Sequence, residues 1–505
     1  MSYVDNFLNK ITMYKLVLYS LQALAGLSII FGFLGIISYS GVSLILSAFT
    51  ITVVCYLTNL FFAKIYDVQT NVESSSITAF ILFFVLSPLS SFADLRIYIL
   101  VGILAMASKY ILSIKKKHIF NPAGVAVFIV GLFGSGVGFW WVGGVSLFLP
   151  VLIVGILVLR KLKRFELFLA FAISSLASMS YFGYINGFIF YETLVSNFIS
   201  GPVLFFGTIM LTEPLTTPPY RKSRILYGVI AGVLFGSQFS IGPIFSTPEF
   251  SLIIANIFSY IVSPRARLVL TLKQKNKLTN DVYEFIWNTP DKLKFKAGQY
   301  LEWTLGHKNP DSRGNRRYFT LSSSPTEENL GVGIKFYENS SSFKNKMVSL
   351  NVGDKLVASQ LAGEFTLPED KSKKLVFIAG GIGVTPFRSM AKYLSDMNEK
   401  RDIILLFSCK SSKDLVYKNV FDEAYIKSGI KTIYVVGDSM GETLTSNMKV
   451  GPVNSEMIIS EISDYKDRIF YISGPHGMVS AFESTLNKLG VPSSNIKIDF
   501  FPGYV

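Results

Sequence analysis

The chain has 505 residues, enough for several domains, and half of them are hydrophobic. A mean hydropathy of +0.43 excludes an ordinary soluble protein, and the apolar residues are concentrated before about residue 263. Although the net charge is +14, the basic residues stand in short segments between apolar runs, so nucleic acid is not predicted as a partner. Two cysteines, Cys55 and Cys409, are too few for a disulfide framework or a thiolate-held iron–sulfur cluster.

Ten apolar segments in the first half approach the roughly 20 residues that a helix needs to cross a bilayer. The third segment is short, which indicates a broken or re-entrant helix. We therefore predict an α-helical transmembrane bundle of ten spans over residues 1–263. The segments lie near 16–37, 42–62, 76–90, 95–113, 120–134, 141–160, 165–183, 187–211, 225–242 and 249–263.

Basic residues follow every second predicted span. Lys64, Lys115, Lys161, Arg221 and Arg265 stand on these loops, whereas the opposite loops carry almost no charge. Positively charged loops of membrane proteins face the cytoplasm. The chain is therefore predicted to be a multi-pass protein in the lipid of the cell membrane, with both termini and its second half in the cytoplasm.

The first half contains an internal echo at an offset of about 125 residues. Ser74–Pro88 is echoed by Ser200–Pro214, and Ile119–Pro122 is echoed by Ile244–Pro248. Two related halves of five spans each would be inverted across the membrane, because five is odd. Such inverted repeats with broken helices place ligands near the middle of the bilayer. Chance similarity between apolar segments is the alternative.

Two strings, KKKHIFNPAG at Lys115–Gly124 and SGPVLFFGTIMLTEPLTTP at Ser200–Pro218, carry a family resemblance. They resemble the D component of the Rnf complex and the B component of the sodium-pumping NADH:quinone reductase, which are ten-span membrane flavoproteins. The resemblance covers roughly residues 15–263. It implies a transmembrane electron-transfer domain with a five-plus-five repeat, a flavin between its helices and partner electron-transfer subunits.

One position departs from that family, in which a threonine of an S-G-A-T string carries FMN through a phosphoester bond. The matching string here ends in Val203, which has no hydroxyl, so this linkage is not expected. The domain could instead hold a second, non-covalent flavin, another redox group, a quinone or no group. Glu213, near the end of a predicted span, is either part of a pocket or ion site or an ordinary helix-end residue.

After residue 263 the composition becomes that of a globular protein. Alternating patterns between Arg267 and Thr304 predict strands of a small antiparallel β-barrel, over residues 264–370. The string GNRRYFTLSSSP follows at Gly314–Pro325. An arginine here can grip a pyrophosphate with its rigid fork of donors, an aromatic ring can lie on a ring system, and a hydroxyl can reach a ring nitrogen.

The same string resembles the R-x-(Y/F)-(S/T) signature of the ferredoxin–NADP reductase superfamily, and the resemblance extends from about Arg265 to the last residue. It implies that Arg317 binds the FAD pyrophosphate, that Phe319 packs on the isoalloxazine and that Thr320 hydrogen-bonds near flavin N5. The alternatives are strand propensity for Phe319 and Thr320 and a solvated basic patch for Arg317. Further FAD contacts implied by the resemblance are Tyr318, Ser322, Ser323, Ser341, Ser342 and Phe343.

From Lys374 the pattern changes to alternating strands and helices, which predicts an α/β domain with a parallel sheet over residues 371–505. The string LVFIAGGIGVTPFRSM runs from a buried strand through a glycine-rich turn into a helix. Glycines let the backbone approach a phosphate closely, and the helix points its amides at that phosphate. Following an FAD barrel, this turn predicts an NAD(P)H site. The residues concerned are Gly380, Gly381, Gly383, Thr385 and Pro386.

Lys410 ends the next strand, where the family reads the ribose. It could pair with a 2′-phosphate and favour NADPH, or it could be a solvated loop charge, so NADPH and NADH both stand as co-substrates. The string YISGPHGM resembles the family's C-G-P-x-x-M string beneath the nicotinamide, which implies contacts from Gly474, Pro475 and Met478. Ser473 replaces the usual cysteine, and it keeps a polar contact but loses the polarisable sulfur.

The last strand pattern ends in DFFPGYV. Asp499 matches a family acidic residue near the flavin, and Tyr504 could stack on the flavin ring or pack in a buried C-terminal strand. The predicted catalytic residues are Thr320, Ser473 and Asp499.

We therefore predict a membrane-bound NAD(P)H oxidoreductase. It passes hydride from a nicotinamide to FAD on the cytoplasmic side and then electrons into or across the membrane, to a quinone, a flavin or another acceptor. A redox-driven ion pump or transporter subunit is the alternative. A haem reductase would need histidine pairs on its spans, which His118, His307 and His476 do not supply, and no metal site is predicted.

Overall fold

The computed structural model describes residues 4, 7–8, 11–66, 72–114, 117–133, 138–263, 268–289, 292–308, 310–311, 314–438 and 447–499. The chain divides into two compact units between residues 265 and 266. The first unit is mainly helical, and the second contains two six-stranded sheets with helices.

Largely apolar helices build the first unit. Two π-helical turns, Val195–Ile199 and Phe206–Met210, continue the eighth and ninth helices. The helices are α1 (Met13–Phe33), α2 (Gly41–Ile65), α3 (Val72–Val85), α4 (Phe92–Ile111), α5 (Pro122–Gly131), α6 (Val145–Leu162), α7 (Phe165–Ile185), α8 (Phe190–Leu194), α9 (Val203–Phe205), α10 (Arg221–Gly236) and α11 (Pro248–Val262). Two-residue strand pairs lie at Ser113–Ile114 with Lys117–His118 and at Ser240–Ile241 with Ile244–Phe245.

Among the described helices, α1, α2, α6 and α7 are long and apolar enough to cross a membrane. The bent pair Phe190–Ile199 and Val203–Met210, with an angle of 59°, would be a fifth span. The first half is therefore a helical region with a few apolar helices of spanning length. The ten spans stay a prediction.

Three predicted spans form shorter apolar helices, α3, α5 and α11. Proline limits two of them, because Pro122 and Pro248 occupy the first turns of α5 and α11. A proline cannot continue a helix toward its N-terminus, since it would clash with the preceding turn. The spans predicted at 120–134 and 249–263 begin within two residues of these prolines, so the predicted and observed helix starts agree.

The echoing regions begin their helices in the same way. Asn121 caps α5 by accepting a hydrogen bond from the Gly124 N–H at 3.1 Å, and Thr247 caps α11 by accepting one from the Phe250 N–H at 3.2 Å. Asn121 Nδ2 also donates to Glu213 Oε2 at 2.9 Å, so Glu213 is bonded within the unit. Two related halves would produce such matching starts, while the inversion itself stays a prediction.

The second unit begins with an antiparallel sheet of order β4-β3-β6-β1-β2-β5. Trp287 and Trp303 are fully buried in its core, with ring centroids 6.0 Å apart. Strands β4 and β5 form the edges in this order, so closure into the predicted barrel is not shown. The elements are β1 (Leu268–Lys277), β2 (Val282–Asn288), β3 (Tyr300–Thr304), β4 (Arg316–Thr320), β5 (Leu330–Lys335), α12 (Ser342–Val348) and β6 (Lys355–Ala362).

A parallel sheet of order β10-β9-β8-β7-β11-β12 follows, and it confirms the predicted α/β architecture. All six residues of its inner strand β7 are buried. Its strands are β7 (Leu375–Gly380), β8 (Ile403–Ser411), β9 (Lys431–Asp438), β10 (Met448–Val450), β11 (Ile469–Ser473) and β12 (Ile496–Asp499). Its helices are α13 (Thr385–Asp396), α14 (Lys418–Ser428), α15 (Ser455–Glu461) and α16 (His476–Lys488).

An aromatic cluster joins the two sheets of the second unit. Phe365, which follows β6, has its ring centroid 5.1 Å from that of Tyr471 and 5.6 Å from that of Phe387. Phe377 of β7 stacks on Phe387 at 4.6 Å. Offset and edge contacts of this kind add to the stabilisation from buried area. The end of the antiparallel sheet is thereby packed against the parallel sheet.

Arg468, which precedes β11, holds two carboxylates at the start of the parallel sheet. Its Nη1 and Nη2 donate to Asp402 at 2.7 and 3.1 Å, and its Nε donates to Asp464 at 2.6 Å. The hydrogen bond from Arg468 lowers the pKa of Asp464 from 3.8 to about 2. A depressed carboxyl pKa adds stability above the ordinary value, and this is lost as the pH falls through the folded value.

We expect Asp464→Asn to lower the melting temperature of the full chain in detergent at neutral pH. The difference from wild type should shrink as the pH falls from 3.8 toward about 2, because the wild-type carboxylate becomes protonated over this range. Calorimetry at a series of pH values measures it. Glu328→Gln, at an exposed carboxylate, is the control. A difference for Asp464→Asn that stays constant down to the lowest pH would contradict the assignment.

Candidate functional site

Arg317 of β4 is buried, with 4% of its side chain exposed. Its Nη1 donates to the carbonyl oxygens of Gly314 at 3.0 Å and Arg316 at 2.7 Å, and its Nη2 donates to Asp311 Oδ1 at 3.2 Å. Its Cζ lies 5.3 Å from the ring centroid of Phe343. A buried guanidinium needs such partners, and together they fix the orientation of the fork. The alternative of a solvated basic patch is therefore wrong for Arg317.

The start of α12 supplies a second set of donors beside this fork. Ser341 caps the helix with its hydroxyl, and the Ser342 N–H donates to Asp311 Oδ2 at 3.0 Å. Ser342 Oγ accepts from the Asp311 N–H at 2.9 Å and lies 3.0 Å from His307 Nε2. The carboxylate of Asp311 thus lies between the fork of Arg317 and a backbone amide. Donors that hold one oxyanion in this way are able to hold a phosphate.

Sequence reasoning predicted the basic and serine residues of this cluster but missed Asp311 and His307. Both precede the R-x-F-T string in a segment without periodicity, and their partner Ser342 lies more than thirty residues later in the chain. The one local signal was the acidic residue of the NPDSRGNRR segment, since an isolated carboxylate near two arginines indicates an ion pair.

Phe319 and Tyr318 are half-buried neighbours on β4. The ring centroid of Phe319 lies 5.9 Å from that of Phe343, so Phe319 packs toward α12. Tyr318 points to the opposite face of the strand, where its hydroxyl donates to Glu302 Oε2 at 2.8 Å. The two aromatic residues therefore line different faces of β4.

Thr320 ends β4 and meets the parallel sheet. Its Oγ1 lies 3.5 Å from Asp499 Oδ2, at the outer limit of a hydrogen bond. Asp499 is in register with Ser473, and Ser473 is in register with Ala379 of β7. The three predicted catalytic residues therefore come together at the carboxyl ends of parallel strands, which is where open α/β sheets bind their ligands.

Ser322 and Ser323 follow β4 and are buried. Ser322 Oγ donates to Glu284 Oε1 at 3.1 Å, and Ser323 Oγ accepts from the Gly331 N–H at 2.9 Å. Both hydroxyls are thus engaged within the antiparallel sheet. These hydrogen bonds give the two serines a structural role, and their predicted contact with FAD stays a prediction.

The predicted glycine turn lies at the end of β7. Gly380 is the last strand residue, and Gly381 follows with a φ of +52°, which favours glycine. A Cβ added to Gly383 would lie 2.5 Å from the carbonyl oxygen of Ser473 and 2.6 Å from Gly474 Cα. Glycine is required at position 383 because the turn passes directly against the end of β11.

The remaining predicted nucleotide contacts surround the same turn. A Cβ built on Gly380 would lie 2.3 Å from Met478 Sδ and 3.2 Å from Pro475 Cδ, so these residues pack against the turn. Thr385 and Pro386 begin α13 directly after it. Helix α13 therefore starts where its free N–H groups can face a phosphate.

One predicted residue, Lys410, lies apart from this cluster. Lys410 is exposed near the end of β8, two residues beyond Ser408, which is in register with Gly380. Its ammonium is thus on the solvent side of the strand that neighbours the turn. Tyr504 lies outside the described residues.

A cation that the sequence analysis missed lies on the same strand as Asp499, one of the three predicted catalytic residues. Lys497 precedes Asp499 by two residues on β12, so both side chains lie on one face of the strand. Its Nζ donates to the Tyr471 hydroxyl at 2.8 Å, and that hydroxyl donates to the Thr366 carbonyl at 2.8 Å. Burial lowers the pKa of Lys497. The alternation of polar and apolar residues in Lys497-Ile498-Asp499 was the sequence signal that could have placed Lys497 on the same face as Asp499.

Comparison with known proteins gives matches to the second half. The family model for oxidoreductase NAD-binding domains matches residues 377–484. Flavohemoprotein A of Dictyostelium discoideum is 27% identical over 213 residues, which cover 40% of this chain and 52% of that protein. A flavohemoprotein of Bacillus subtilis is 25% identical over 236 residues, which cover 46% of this chain and 58% of that protein. The chain thus spans about half the length of these curated relatives.

A solved structure is also similar to part of the chain. The flavohem-like FAD/NAD-binding domain of a nitric oxide dioxygenase from Vibrio cholerae matches with a TM-score of 0.41 and 21% identity. The match covers 47% of this chain and 99% of that domain.

The second half of the chain is an FAD- and NAD-binding oxidoreductase domain. It is similar in sequence to the flavohemoproteins named above, and the prediction of an FAD-dependent NAD(P)H oxidoreductase is confirmed at this level. The site fits these cofactors, because the donors of Arg317 and Ser342 already hold an oxyanion and the turn at Gly383 leaves no room for a side chain.

We expect Gly383→Ala to weaken nicotinamide binding, because the new methyl group would push the turn away from Ser473 and Gly474. Overpacking of this kind lowers the free energy of unfolding by about 1–3 kcal/mol. Gly477→Ala is the matched control, since nothing lies within 4 Å of its added Cβ and it is in helix α16. Thermal unfolding and flavin reduction at varied nicotinamide concentration measure both effects. Equal behaviour of the two variants would contradict the close approach.

Proposed function

We propose that the chain is a membrane-bound NAD(P)H oxidoreductase that reduces FAD with a nicotinamide and delivers electrons into or across the membrane. The supporting observation is the convergence of Thr320, Ser473 and Asp499 beside the glycine turn at Gly383. One sheet of the second unit contributes the threonine, and the other contributes the rest. Such a site can hold two cofactors face to face.

The residues of the antiparallel sheet bind and orient the flavin in this proposal. Arg317 and the start of α12 bind the pyrophosphate, and Phe319 and Tyr318 border the ring system. The carboxylate of Asp311 accepts hydrogen bonds from both Arg317 and the Ser342 N–H. When the pyrophosphate binds, its oxygens replace the Asp311 carboxylate at these donors. FAD supplies the redox chemistry when bound, since it accepts hydride and releases electrons singly or in pairs.

The parallel sheet binds the nicotinamide dinucleotide. Gly380–Gly383 and the N-terminus of α13 bind the phosphates of this dinucleotide, while Ser473, Pro475 and Met478 border its nicotinamide ring. Alignment of the two rings lowers the barrier by holding the reacting atoms in position. Asp499 and Ser473 present polar groups at this point, and Lys410 selects between NADPH and NADH through its charge.

The membrane half receives the electrons in this proposal. Its apolar helices and the bent pair after α7 support a transmembrane bundle, and the like starts of α5 and α11 support a repeat. Ten spans in an inverted five-plus-five arrangement are the form of the bundle that we propose. The second unit and both termini lie in the cytoplasm, as the basic loops suggest. A second, non-covalent flavin or a quinone acts as acceptor, and partner electron-transfer subunits complete the path. Val203 lacks the hydroxyl for a phosphoester bond to FMN.

One observation favours the second candidate, a redox-driven ion pump or transporter subunit. Glu249 is 4% exposed in the apolar half, where Trp140 Nε1 donates to its Oε1 at 2.6 Å. Ionisable residues within membrane segments mark ion paths in many proteins. Electron transfer that requires sodium, or that charges a sealed vesicle, would support this candidate. Electron transfer that is indifferent to ions in both assays would overturn it.

The first test is flavin content and reduction of the full chain in detergent. We expect one acid-released FAD per chain that NADH or NADPH reduces in the absence of oxygen, followed by reoxidation with a quinone analogue. A second acid-released flavin would support a non-covalent flavin in the membrane half. Purified chain that binds FAD without being reduced by either nicotinamide would overturn the proposed function.

Arg317→Lys should weaken FAD binding by about 10- to 100-fold, because lysine keeps the charge but loses a pair of charge-assisted hydrogen bonds. Arg316→Lys is the matched control, since the neighbouring arginine is half-buried and lies 3.6 Å from Glu302 rather than in the oxyanion cluster. Equilibrium titration of flavin-depleted protein with FAD measures the affinities. Equal FAD affinity of both variants would show that Arg317 does not bind the pyrophosphate.

A further inference from the structure

A half-buried ion pair between Glu327 and Arg388 connects the loop after β4 with the helix after the glycine turn. Arg388 on α13 is 12% exposed, and its Nη1 and Nη2 both contact the carboxylate of Glu327, with Nη2 donating to Oε1 at 3.0 Å. Arg388 Nη1 also donates to the Ser322 carbonyl at 3.0 Å. One guanidinium therefore holds both the backbone and the acidic side chain of the loop that continues from Thr320.

A second layer of contacts lies beside this fork. Ser389, fully buried on α13, donates its hydroxyl to the Ser323 carbonyl at 2.6 Å. The Ser324 N–H donates to Glu327 Oε2 at 2.6 Å, which fixes the carboxylate that Arg388 binds. Consecutive residues of α13 thus bind consecutive carbonyl groups of the loop. Such a pattern fixes both distance and register.

Tyr417 closes the contact from the other side. It precedes α14 with a φ of +61°, a conformation that is costly for a bulky residue and persists only where its surroundings impose it. A Cβ added to Gly333 of β5 would lie 2.6 Å from the Tyr417 hydroxyl, so the ring reaches the antiparallel sheet. Arg388 Cζ lies 5.7 Å from the centroid of this ring.

Both titratable neighbours keep their ordinary charge state in this arrangement. Burial lowers the pKa of Arg388, but the hydrogen bond to Glu327 and the nearby negative charges together outweigh burial and raise it. Burial, and then the charge of Glu284, raise the pKa of Tyr417 well above its ordinary value. The two-pronged contact of Arg388 with Glu327 is directional, so it adds geometric specificity to the contact between loop and helix.

We infer that Arg388 is a positioning residue for hydride transfer, which it serves by holding the flavin loop at Ser322 against the nucleotide helix. This inference rests on the proposed function. Arg388 is three residues beyond Thr385 at the nucleotide turn, and Ser322 is two residues beyond Thr320 at the flavin strand. The guanidinium of Arg388 thus links positions that stand within three residues of each predicted cofactor site. Loss of these directional hydrogen bonds would shift the flavin ring relative to the nicotinamide ring.

Arg388→Lys tests the inference, with Arg468→Lys as the matched control. Arg468 also binds a carboxylate with a fork, at 2.7 and 3.1 Å from Asp402, but this pair lies within the parallel sheet. We expect Arg388→Lys to lower the limiting rate of flavin reduction by about 10- to 100-fold, as misplacement of roughly 1 Å does. FAD content and nicotinamide affinity should stay at wild-type values. Glu327→Gln should lower the rate in the same direction and less.

Hydrogen–deuterium exchange of the flavin-depleted full chain gives a readout that does not depend on activity. Arg388→Lys should increase exchange in residues 322–331, because Glu327 is freed from its partner and no longer holds the Ser324 N–H. Arg468→Lys should leave this segment as protected as in wild type.

The outcomes separate a failure of the positioning role from a failure of the proposed function. If nicotinamide reduces FAD in the wild-type protein, and if FAD is reduced no more slowly in Arg388→Lys than in Arg468→Lys, the inference alone is overturned. Flavin reduction in Arg388→Lys that returns to the wild-type rate at high NAD(P)H concentration would also overturn the inference, since the defect would then lie in nucleotide binding. Wild-type FAD that no nicotinamide reduces would overturn the inference together with the proposed function.

Discussion

Strand β7 is buried along its whole length, and β8 and β11 pair with it on either side. A strand in this position uses all of its backbone hydrogen bonds on its neighbours and all of its side chains on the core. Polar groups that can bind a ligand are therefore found only at the carboxyl end of β7. At that point the chain turns through Gly380–Gly383, while Ser473 ends the adjacent strand β11 and Asp499 ends β12, the next strand along the sheet. The position of the site follows from this constraint.

The second sheet adds the other half of the site, and two kinds of contact hold it there. The hydrophobic contacts among Phe365, Phe377, Phe387 and Tyr471 stabilise the packing of the two sheets. Because these contacts are non-directional, they allow small displacements of one sheet relative to the other. The fork of Arg388 is directional and specifies one register. A site assembled from two sheets needs both kinds, because area alone does not fix the distance between two rings.

Local strings were the predictable part of this protein. Arg317 and the glycine turn were predicted correctly as structural features because each is encoded within a few residues and has a strong conformational cause. Asp311 and Arg388 were missed because their partners lie about 30 and about 60 residues away along the chain. In the first half, hydropathy predicted where the apolar segments lie, and the spans predicted at 120–134 and 249–263 begin close to Pro122 and Pro248. The number of spans could not be read from hydropathy alone, because α3, α5 and α11 are apolar but shorter than a straight helix that crosses a bilayer.

The serine at position 473 has a consequence for the reagents that can modify this part of the protein. The two cysteines of the chain, Cys55 and Cys409, are both buried, and position 473 carries a hydroxyl rather than a thiol. Burial raises the pKa of Cys409 to about 12, so its reactive thiolate is scarce at neutral pH. Peroxide and alkylating reagents act on exposed thiolates, and this chain presents none. Ser473, which is buried and in register with Asp499, thus gives this edge of the sheet a side chain that peroxide and alkylating reagents do not modify.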